Sequence, residues 1–461
     1  MNQAWKEIWK MKQTVKITLF LIIYVIGVPV LSGTAAVPVI RVDAENKTAN
    51  QIGTALGNQI KAKFPDIDAK IDIYLESYVS QDMFNYMIRR RLDAIRSGIN
   101  RKYRDEVRSM ASLHVCSDRD RLGDGHLSLN EFWFFQLIPD IGRQNSCSGF
   151  GVFDGCSASG APIVGRNLDW HTNKALRSIQ AITVYEYGKR VLVNIGFAGY
   201  VGVVSGFNDK GLFAAHLDSS LSLPYPDSLR GMHSAVFDIR NALETAGSIS
   251  RAASLMAGQR YPFSHNVLLA DRKDVQVLEQ ARRKVGKLRT AYSPLRGDIS
   301  WGKPCQIAVV NFFALKGNSN GVREVRKWNR FKCLANFSRK NKAHVGDVIN
   351  IMLDRHRQRI FNERTVQSMV FTPDDRKLYL YTMPASGVHP RHPVIKEVKG
   401  LISAATKENP PDNGNLPVIF LLVFGVPAGV LIYYKWESGL KRKLSVYDDD
   451  DDDDDEREKY P

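Results

Sequence analysis

The stretch Asn145-Ser-Cys-Ser-Gly-Phe-Gly-Val-Phe-Asp154, continuing as Gly155-Cys-Ser-Ala-Ser-Gly-Ala-Pro-Ile-Val-Gly-Arg-Asn-Leu-Asp-Trp170, constrains the fold of this chain more than any other. Phe150, Val152 and Phe153, with glycines between them, predict a strand over Ser148–Phe153. Ser157-Ala-Ser-Gly160 has the small residues of a turn. Pro162–Val164 is the predicted second strand, and Gly165-Arg-Asn-Leu-Asp169 follows it. A hairpin lays its second strand beside its first, which returns Arg166 and Asp169 toward Cys147. A thiol, a guanidinium and a carboxylate at one hairpin end make a candidate nucleophile site. The cation favours thiolate, and the carboxylate can hold an amine or orient a base.

Around this hairpin lies a chain of 461 residues, enough for one large domain or two ordinary ones, with the 44% hydrophobic and 24% charged content of a globular protein. The net charge of +16 suits anionic partners such as a membrane surface. Nucleic acid is disfavoured, because the basic residues are scattered and no finger, RRM or helix-turn-helix pattern is present. The five cysteines, Cys116, Cys147, Cys156, Cys305 and Cys333, are too few and too irregularly spaced for a disulfide framework or a zinc site. An odd count leaves at least one free thiol; Cys156, Cys305 and Cys333 are assigned to packing or a bridge.

Residues 1–36 read as a signal peptide or a signal anchor: Lys6, Lys10, Lys12 and Lys16 precede an apolar run, Ile17–Leu31, and Ser32-Gly-Thr-Ala-Ala36 follows it. The run is short for a bilayer span, and Pro29 near its end favours the cleaved form. Residues 37–146 read as a helical segment, with Ile52, Leu56, Ile60 and Phe64 at helical spacing. Asn46-Lys-Thr48 is a glycosylation sequon. Asp120–Glu131 echoes the second half of a calcium loop, but Leu122 sits where an oxygen ligand is needed. The same letters make a capping box, Ser128-x-x-Glu131, opening an apolar helix over Phe132–Ile138, and this reading is preferred.

Residues 147–400 carry many strand-like runs: Ile179–Tyr187, Val191–Phe197, Gly199–Val204, Leu212–Leu217, Val267–Ala270, Val275–Glu279, Ile307–Phe313, Ser368–Phe371 and Lys377–Met383. Helices are expected over Ala235–Thr245, Ile249–Met256 and Val345–His356. Strand blocks separated by helical blocks predict an α+β fold, with sheet layers and helices outside them. A linker over 401–415 leads to Leu416–Tyr434, uncharged, mostly apolar and close to the roughly 20 residues a helix needs to cross a bilayer. Lys435, Lys441, Arg442 and Lys443 follow, which predicts that this end is cytoplasmic. Residues 435–461 form a basic, then acidic tail, with Asp448–Asp455 unbroken.

Cys-Ser-Gly-Phe, an apolar hairpin and Gly-Arg-Asn-Leu-Asp-Trp resemble the start of the catalytic chain of N-terminal-nucleophile cysteine hydrolases. These are the choloylglycine hydrolase, penicillin V acylase, acid amidase and isopenicillin-N acyltransferase superfamily. The resemblance implies a four-layer αββα sandwich and self-cleavage between Ser146 and Cys147, which would release the upstream segment and free an α-amine as the thiol's own base. It implies that Asp169 holds that amine and that Arg166 contacts the thiolate and the scissile carbonyl. Ser264-His-Asn266, followed by Val267-Leu-Leu-Ala-Asp271, implies Asn266 as oxyanion donor. Trp328-Asn-Arg-Phe331 implies Arg330 as a second structural or catalytic cation. It calls for no cofactor or metal.

Two positions depart from the family pattern. Asp218 stands where choloylglycine hydrolases place an asparagine, and Asn311-Phe-Phe313 stands where many relatives have Asn-His. His171, His216 and His265 lie near the motifs as supporting candidates. The expected activity is hydrolysis of linear amides of acylated amines or amino acids through a thioester at Cys147. The expected partners are a small acylated amide and a membrane, reached through the C-terminal helix, with the catalytic domain luminal or extracellular. An acyltransferase using the same acyl-enzyme, and a non-catalytic lipid- or partner-binding protein, remain open alternatives. On the bland reading, Arg166 and Asp169 are an ordinary ion pair in a turn.

Overall fold

The computed structural model describes residues 36–141, 146–219, 229–282, 284–299, 301, 303–318, 325–336, 342–355 and 360–402. Met1–Ala404 forms one compact unit and Ala405–Pro461 a second. Both apolar end segments, Ile17–Leu31 and Leu416–Tyr434, lie outside the described residues. Among the described residues no helix is long and apolar enough to cross a membrane.

The fold is mixed α+β, built on two sheets. The strands are β1 Val39–Asp43, β2 Ser148–Val152, β3 Ile163–Asp169, β4 Gln180–Tyr187, β5 Arg190–Phe197, β6 Ser205–Asn208, β7 Phe213–Asp218, β8 His265–Ala270, β9 Val275–Gln280, β10 Lys287–Arg289, β11 Gln306–Val309, β12 Thr365–Thr372, β13 Lys377–Thr382 and β14 Lys396–Val398. One sheet has the order β11-β2-β3-β12-β13-β14, the other β1-β4-β5-β6-β7-β8-β9-β10. The predicted hairpin is the antiparallel pair β2–β3, with Ser148 opposite Asn167 and Gly149 opposite Arg166. Its second strand reaches Asp169 rather than stopping at Val164.

The alternating glycines of β2 explain how the sheets meet. A Cβ at Gly149 would lie 2.6 Å from Leu268, and one at Gly151 would lie 2.5 Å from Val275, so the hairpin presses its bare face onto β8 and β9. Its other face carries Phe150 and Val152 into a cluster with Val348 and Met352. Those two belong to the helix Val345–Met352, shorter than the predicted Val345–His356. The helices Ala235–Thr245 and Ile249–Met256 form where expected.

The upstream segment departs from its all-helical reading at its start. Its helices form, but Val39–Asp43 is a strand paired in parallel with β4, Val39 opposite Ile182. Ile40 and Val42 are buried. Gln136, on the helix Leu129–Ile141, donates to the Gly199 carbonyl and accepts from Val201 N–H. That pairing, with Asn194 Nδ2 bonding the Tyr200 and Gly202 carbonyls, satisfies backbone over Gly199–Val204 that was expected to be a strand. The neighbouring strand is β6 instead.

Asp120–Glu131 is a capped helix start. Ser128 N–H donates to Glu131 Oε2 at 2.7 Å, and Glu131 N–H to Ser128 Oγ at 3.1 Å. The loop ahead of it is held by Asp72, whose carboxylate accepts from Gly123 and Gly125 N–H. Cys156 and Cys305 are disulfide-bonded, which leaves Cys116, Cys147 and Cys333 free.

Candidate active site

Alternation along β3 decides where the hairpin's charges go. Arg166 and Leu168 face the other sheet, whereas Asn167 and Asp169 face the helices. Arg166 lies opposite Gly149, whose missing side chain gives the guanidinium room. Its Nη2 donates to the His216 carbonyl on β7 at 2.9 Å and lies 3.7 Å from Cys147 Sγ. Its Nε and Nη1 are buried with no hydrogen-bond partner among the described residues. Burial lowers the Arg166 pKa against the pull of Cys147 and Asp169. Cys147 is itself fully buried, and burial pushes its thiol up, opposed by Arg166 and by the Asp169 backbone N–H.

Asp169 and Arg166 are therefore not a turn ion pair; the strand points them apart. The cation that Asp169 pairs with is Arg330, from the helix Val325–Asn336, at 3.1 Å. The same carboxylate accepts from Asn362 Nδ2 at 2.8 Å and Thr365 Oγ1 at 2.7 Å. Burial raises its pKa, while Arg330, Thr365 and Asn362 pull it down. Arg330 Nη1 also reaches the Ser146 carbonyl, at 3.4 Å. The structure thus brings Cys147, Arg166, Asp169 and Arg330 together. Asn362 and Thr365 escaped the sequence reading, since no local pattern ties them to a residue almost two hundred positions earlier. The nearest sequence signal was the strand-like run Ser368–Phe371, which begins three residues after Thr365.

Asn266 differs from its expected use. It sits on β8, and its Nδ2 donates to the Val310 and Phe312 carbonyls at 3.0 and 3.2 Å, so both amide hydrogens are committed to backbone. It braces the loop after β11 in this arrangement. Asp218, the departure noted in the sequence, is buried, its carbonyl accepting from Asn311 Nδ2. His216 lies with its ring 5.1 Å from that of His265, and burial holds its pKa well below the usual histidine value. Its ring serves the site only as neutral packing. His171 Nε2 donates to the Ser77 carbonyl of the upstream segment at 3.1 Å. Among the described residues no three acidic, histidine or cysteine side chains group to hold a metal.

No family model matches the chain, and no curated protein does. Solved structures do. An N-acylethanolamine-hydrolyzing acid amidase ortholog from Caenorhabditis elegans is 19% identical over 49% of this chain and 93% of its own, with TM-score 0.39. A variant of conjugated bile acid hydrolase from Clostridium perfringens is 14% identical over 56% and 95%, with TM-score 0.35. Penicillin V acylase from Agrobacterium tumefaciens is 12% identical over 57% and 89%, with TM-score 0.36. They are named an amidase, a hydrolase and an acylase. Likenesses this distant leave the chemistry to the side chains themselves.

Proposed function

We propose that this chain is a self-processing cysteine amidase acting on linear carbon–nitrogen amides of acylated amines or amino acids. The observation that carries the reading is the junction Ser146–Cys147. The thiol lies beside Arg166, and the carbonyl just before it lies beside Arg330, which is bound in turn to Asp169. The two sheets, each flanked by helices, support an αββα arrangement of the N-terminal-nucleophile type.

In the processing step Cys147 Sγ attacks the Ser146 carbonyl carbon and its proton passes to the departing Cys147 nitrogen. The negative charge developing on the Ser146 oxygen meets Arg330, a fixed donor in a dry site. The product is a thioester between the Ser146 carbonyl and Cys147 Sγ with the Cys147 α-amine already free, and water then cleaves the thioester to a Ser146 carboxylate and the free thiol. That amine then deprotonates the thiol for attack on an acyl amide, and Asp169 holds it. The substrate's acyl group forms a thioester on Cys147 Sγ as its amine departs with the proton taken from the thiol, and water then releases the acid and restores the thiol. Leu416–Tyr434 supplies a membrane tether that keeps the catalytic unit luminal or extracellular. N-terminal sequencing of the mature protein tests the scheme: a new terminus at Cys147 is expected, absent in Cys147→Ala. A mature chain still continuous through Ser146–Cys147 would refute it.

A further inference from the structure

One small turn fixes the Asp169 carboxylate. Thr365 N–H donates to the Asn362 carbonyl at 2.9 Å and Asn362 N–H to Thr365 Oγ1 at 3.0 Å, so the two residues close the turn on each other. Asn362 Oδ1 accepts from Arg364 N–H at 2.9 Å, which aims its Nδ2 at Asp169 Oδ2. The single proton on Thr365 Oγ1 goes to Asp169 Oδ1. Each carboxylate oxygen is thus held by a side chain that the turn itself holds. The seat of the turn therefore sets the direction of the carboxylate.

That seat is made in part by His389, from the loop after β13. Its Nε2 lies 3.1 Å from the Asn362 carbonyl, and a carbonyl only accepts, so Nε2 carries a proton. Its Nδ1 lies 2.7 Å from the hydroxyl of Tyr381, on β13. Burial pushes that hydroxyl up to about 12, which keeps it a donor and matches an Nδ1 without a proton. Burial and Arg355 lower the His389 pKa, with Glu363 opposing them, and favour the same neutral ring. One tautomer satisfies both contacts. Phe361, just ahead of the turn, packs on the imidazole with ring centroids 4.6 Å apart. Arg355 lies over Phe361 and donates to the Pro390 carbonyl at 3.1 Å, which ties the loop down one residue past the histidine.

We propose that His389, set by Tyr381, is a positioning residue for the reaction at Cys147, acting through Asn362 on the direction of the Asp169 carboxylate. The proposal rests on the amidase reading, in which that carboxylate holds the α-amine. The path runs Tyr381–His389–Asn362–Asp169 over hydrogen bonds of 2.7, 3.1 and 2.8 Å. Packing on Phe361 would be met equally well by an apolar ring. What such a ring lacks is the oriented N–H, and a base held out of line by a fraction of an ångström loses rate steeply.

The test follows N-dodecanoylglycine hydrolysis and the Ser146–Cys147 cut in the full chain. His389→Phe keeps a ring against Phe361 and removes both nitrogens. Its kcat should fall about tenfold with KM within about twofold, the pattern of a misplaced catalytic group. The acid limb of its kcat/KM profile should move to lower pH, in the direction of Asp169→Asn, because a looser carboxylate favours the ammonium form less. The cut, which uses Asp169 through Arg330, should slow in parallel. His389→Gln places a donor near the lost Nε2 and should recover part of the rate and of the shift. In Tyr381→Phe the imidazole is free to take either tautomer, so kcat should fall by only about twofold; this variant carries the test where His389→Phe does not fold. Wild-type kcat in both variants, or a loss in His389→Phe with the acid limb unmoved and no recovery in His389→Gln, overturns the role of His389 and leaves the amidase reading standing. An uncut wild-type chain without turnover sinks that reading, and the proposal with it.

Discussion

Arg240 and Arg166 are both fully buried, and they live in opposite electrostatic worlds. Arg240 joins the catalytic part to the upstream segment. It pairs with Glu106 at 2.8 Å and Glu244 at 2.9 Å, donates to the Val201 carbonyl, and lies over the rings of Tyr103 and Tyr185. Lys102 adds a further charge on Glu244, whose carboxyl is held down to about 2. Despite its burial, those acids raise the Arg240 pKa well above its usual value. Among the described residues Arg166 has one carbonyl, one thiol and two buried nitrogens without partners, and its pKa is lowered. One arginine is matched by its surroundings; the other is left unmatched beside the atoms proposed to react. A fold that satisfies the first so completely and not the second keeps electrostatic potential in reserve where charge is to develop.

Breaking the matched arginine should have the largest effect. Arg240→Met strands Glu106 and Glu244 without their cation, a loss of about 3–5 kcal/mol by analogy with broken buried pairs. Chemical denaturation should record it, while molecules that remain folded keep their specific activity. Arg166→Met should do the reverse. Processing and turnover should fall by about 10²–10³, the scale of losing one donor to developing charge, with the thermal midpoint unchanged or raised. An Arg166→Met protein that loses stability and keeps its rate would erase the contrast between the two sites.

Asp169→Asn lies between these extremes. Amide turnover should drop by about two orders of magnitude or more, the scale for a charged orienter. The sequence alone suggested a small stability cost, as for an exposed pair. Burial beside Arg330 changes that: the substitution leaves Arg330 uncompensated, so a measurable fall in unfolding free energy should accompany the loss of rate. Full activity in folded, processed protein would rule out the role assigned to this carboxylate.

The smallest effect concerns pH. Asp140, on the upstream helix, is buried and accepts from Ser234 Oγ and Ala235 N–H at the start of the helix Ala235–Thr245. Burial pushes its carboxyl from the ordinary 3.8 up to about 7. Between those values the folded chain holds a proton that the unfolded chain has released. Its contribution is therefore fully present below the unfolded value and is lost as pH climbs through about 7. Asp140→Asn should flatten the rise in thermal midpoint between pH 8 and pH 5. An unchanged slope would show that other groups set it.

The hairpin was legible because its determinants are local: alternating glycines and aromatics, a small-residue turn and a return strand within some twenty residues. The helices Ala235–Thr245 and Ile249–Met256 were legible for the same reason. What escaped depends on distant partners. Nothing near Asp169 announces Asn362 or Thr365, and nothing near Gly199 announces Gln136. The strand β1 left a trace, since Ile40 and Val42 alternate with Val39 and Arg41, but five residues ahead of a long helical segment were read with their neighbours. Arg330 was identified only as a cation of unspecified role. Its pairing with Asp169 needed the helix Val325–Asn336 to be packed against the hairpin end.

The parallel pairing of β1 with β4 carries a consequence for the order of events. In the uncut chain Val39 finds Ile182 by closing a loop, an encounter whose entropy cost grows only slowly with length. Under the proposed cut between Ser146 and Cys147, that loop no longer exists. The same strand can then be regained only by collision of two molecules, at a rate set by concentration. On the proposed scheme folding precedes cutting, and a cut protein that unfolds in dilute solution would not recover as its precursor would. Its persistence becomes a matter of how slowly it opens rather than of equilibrium.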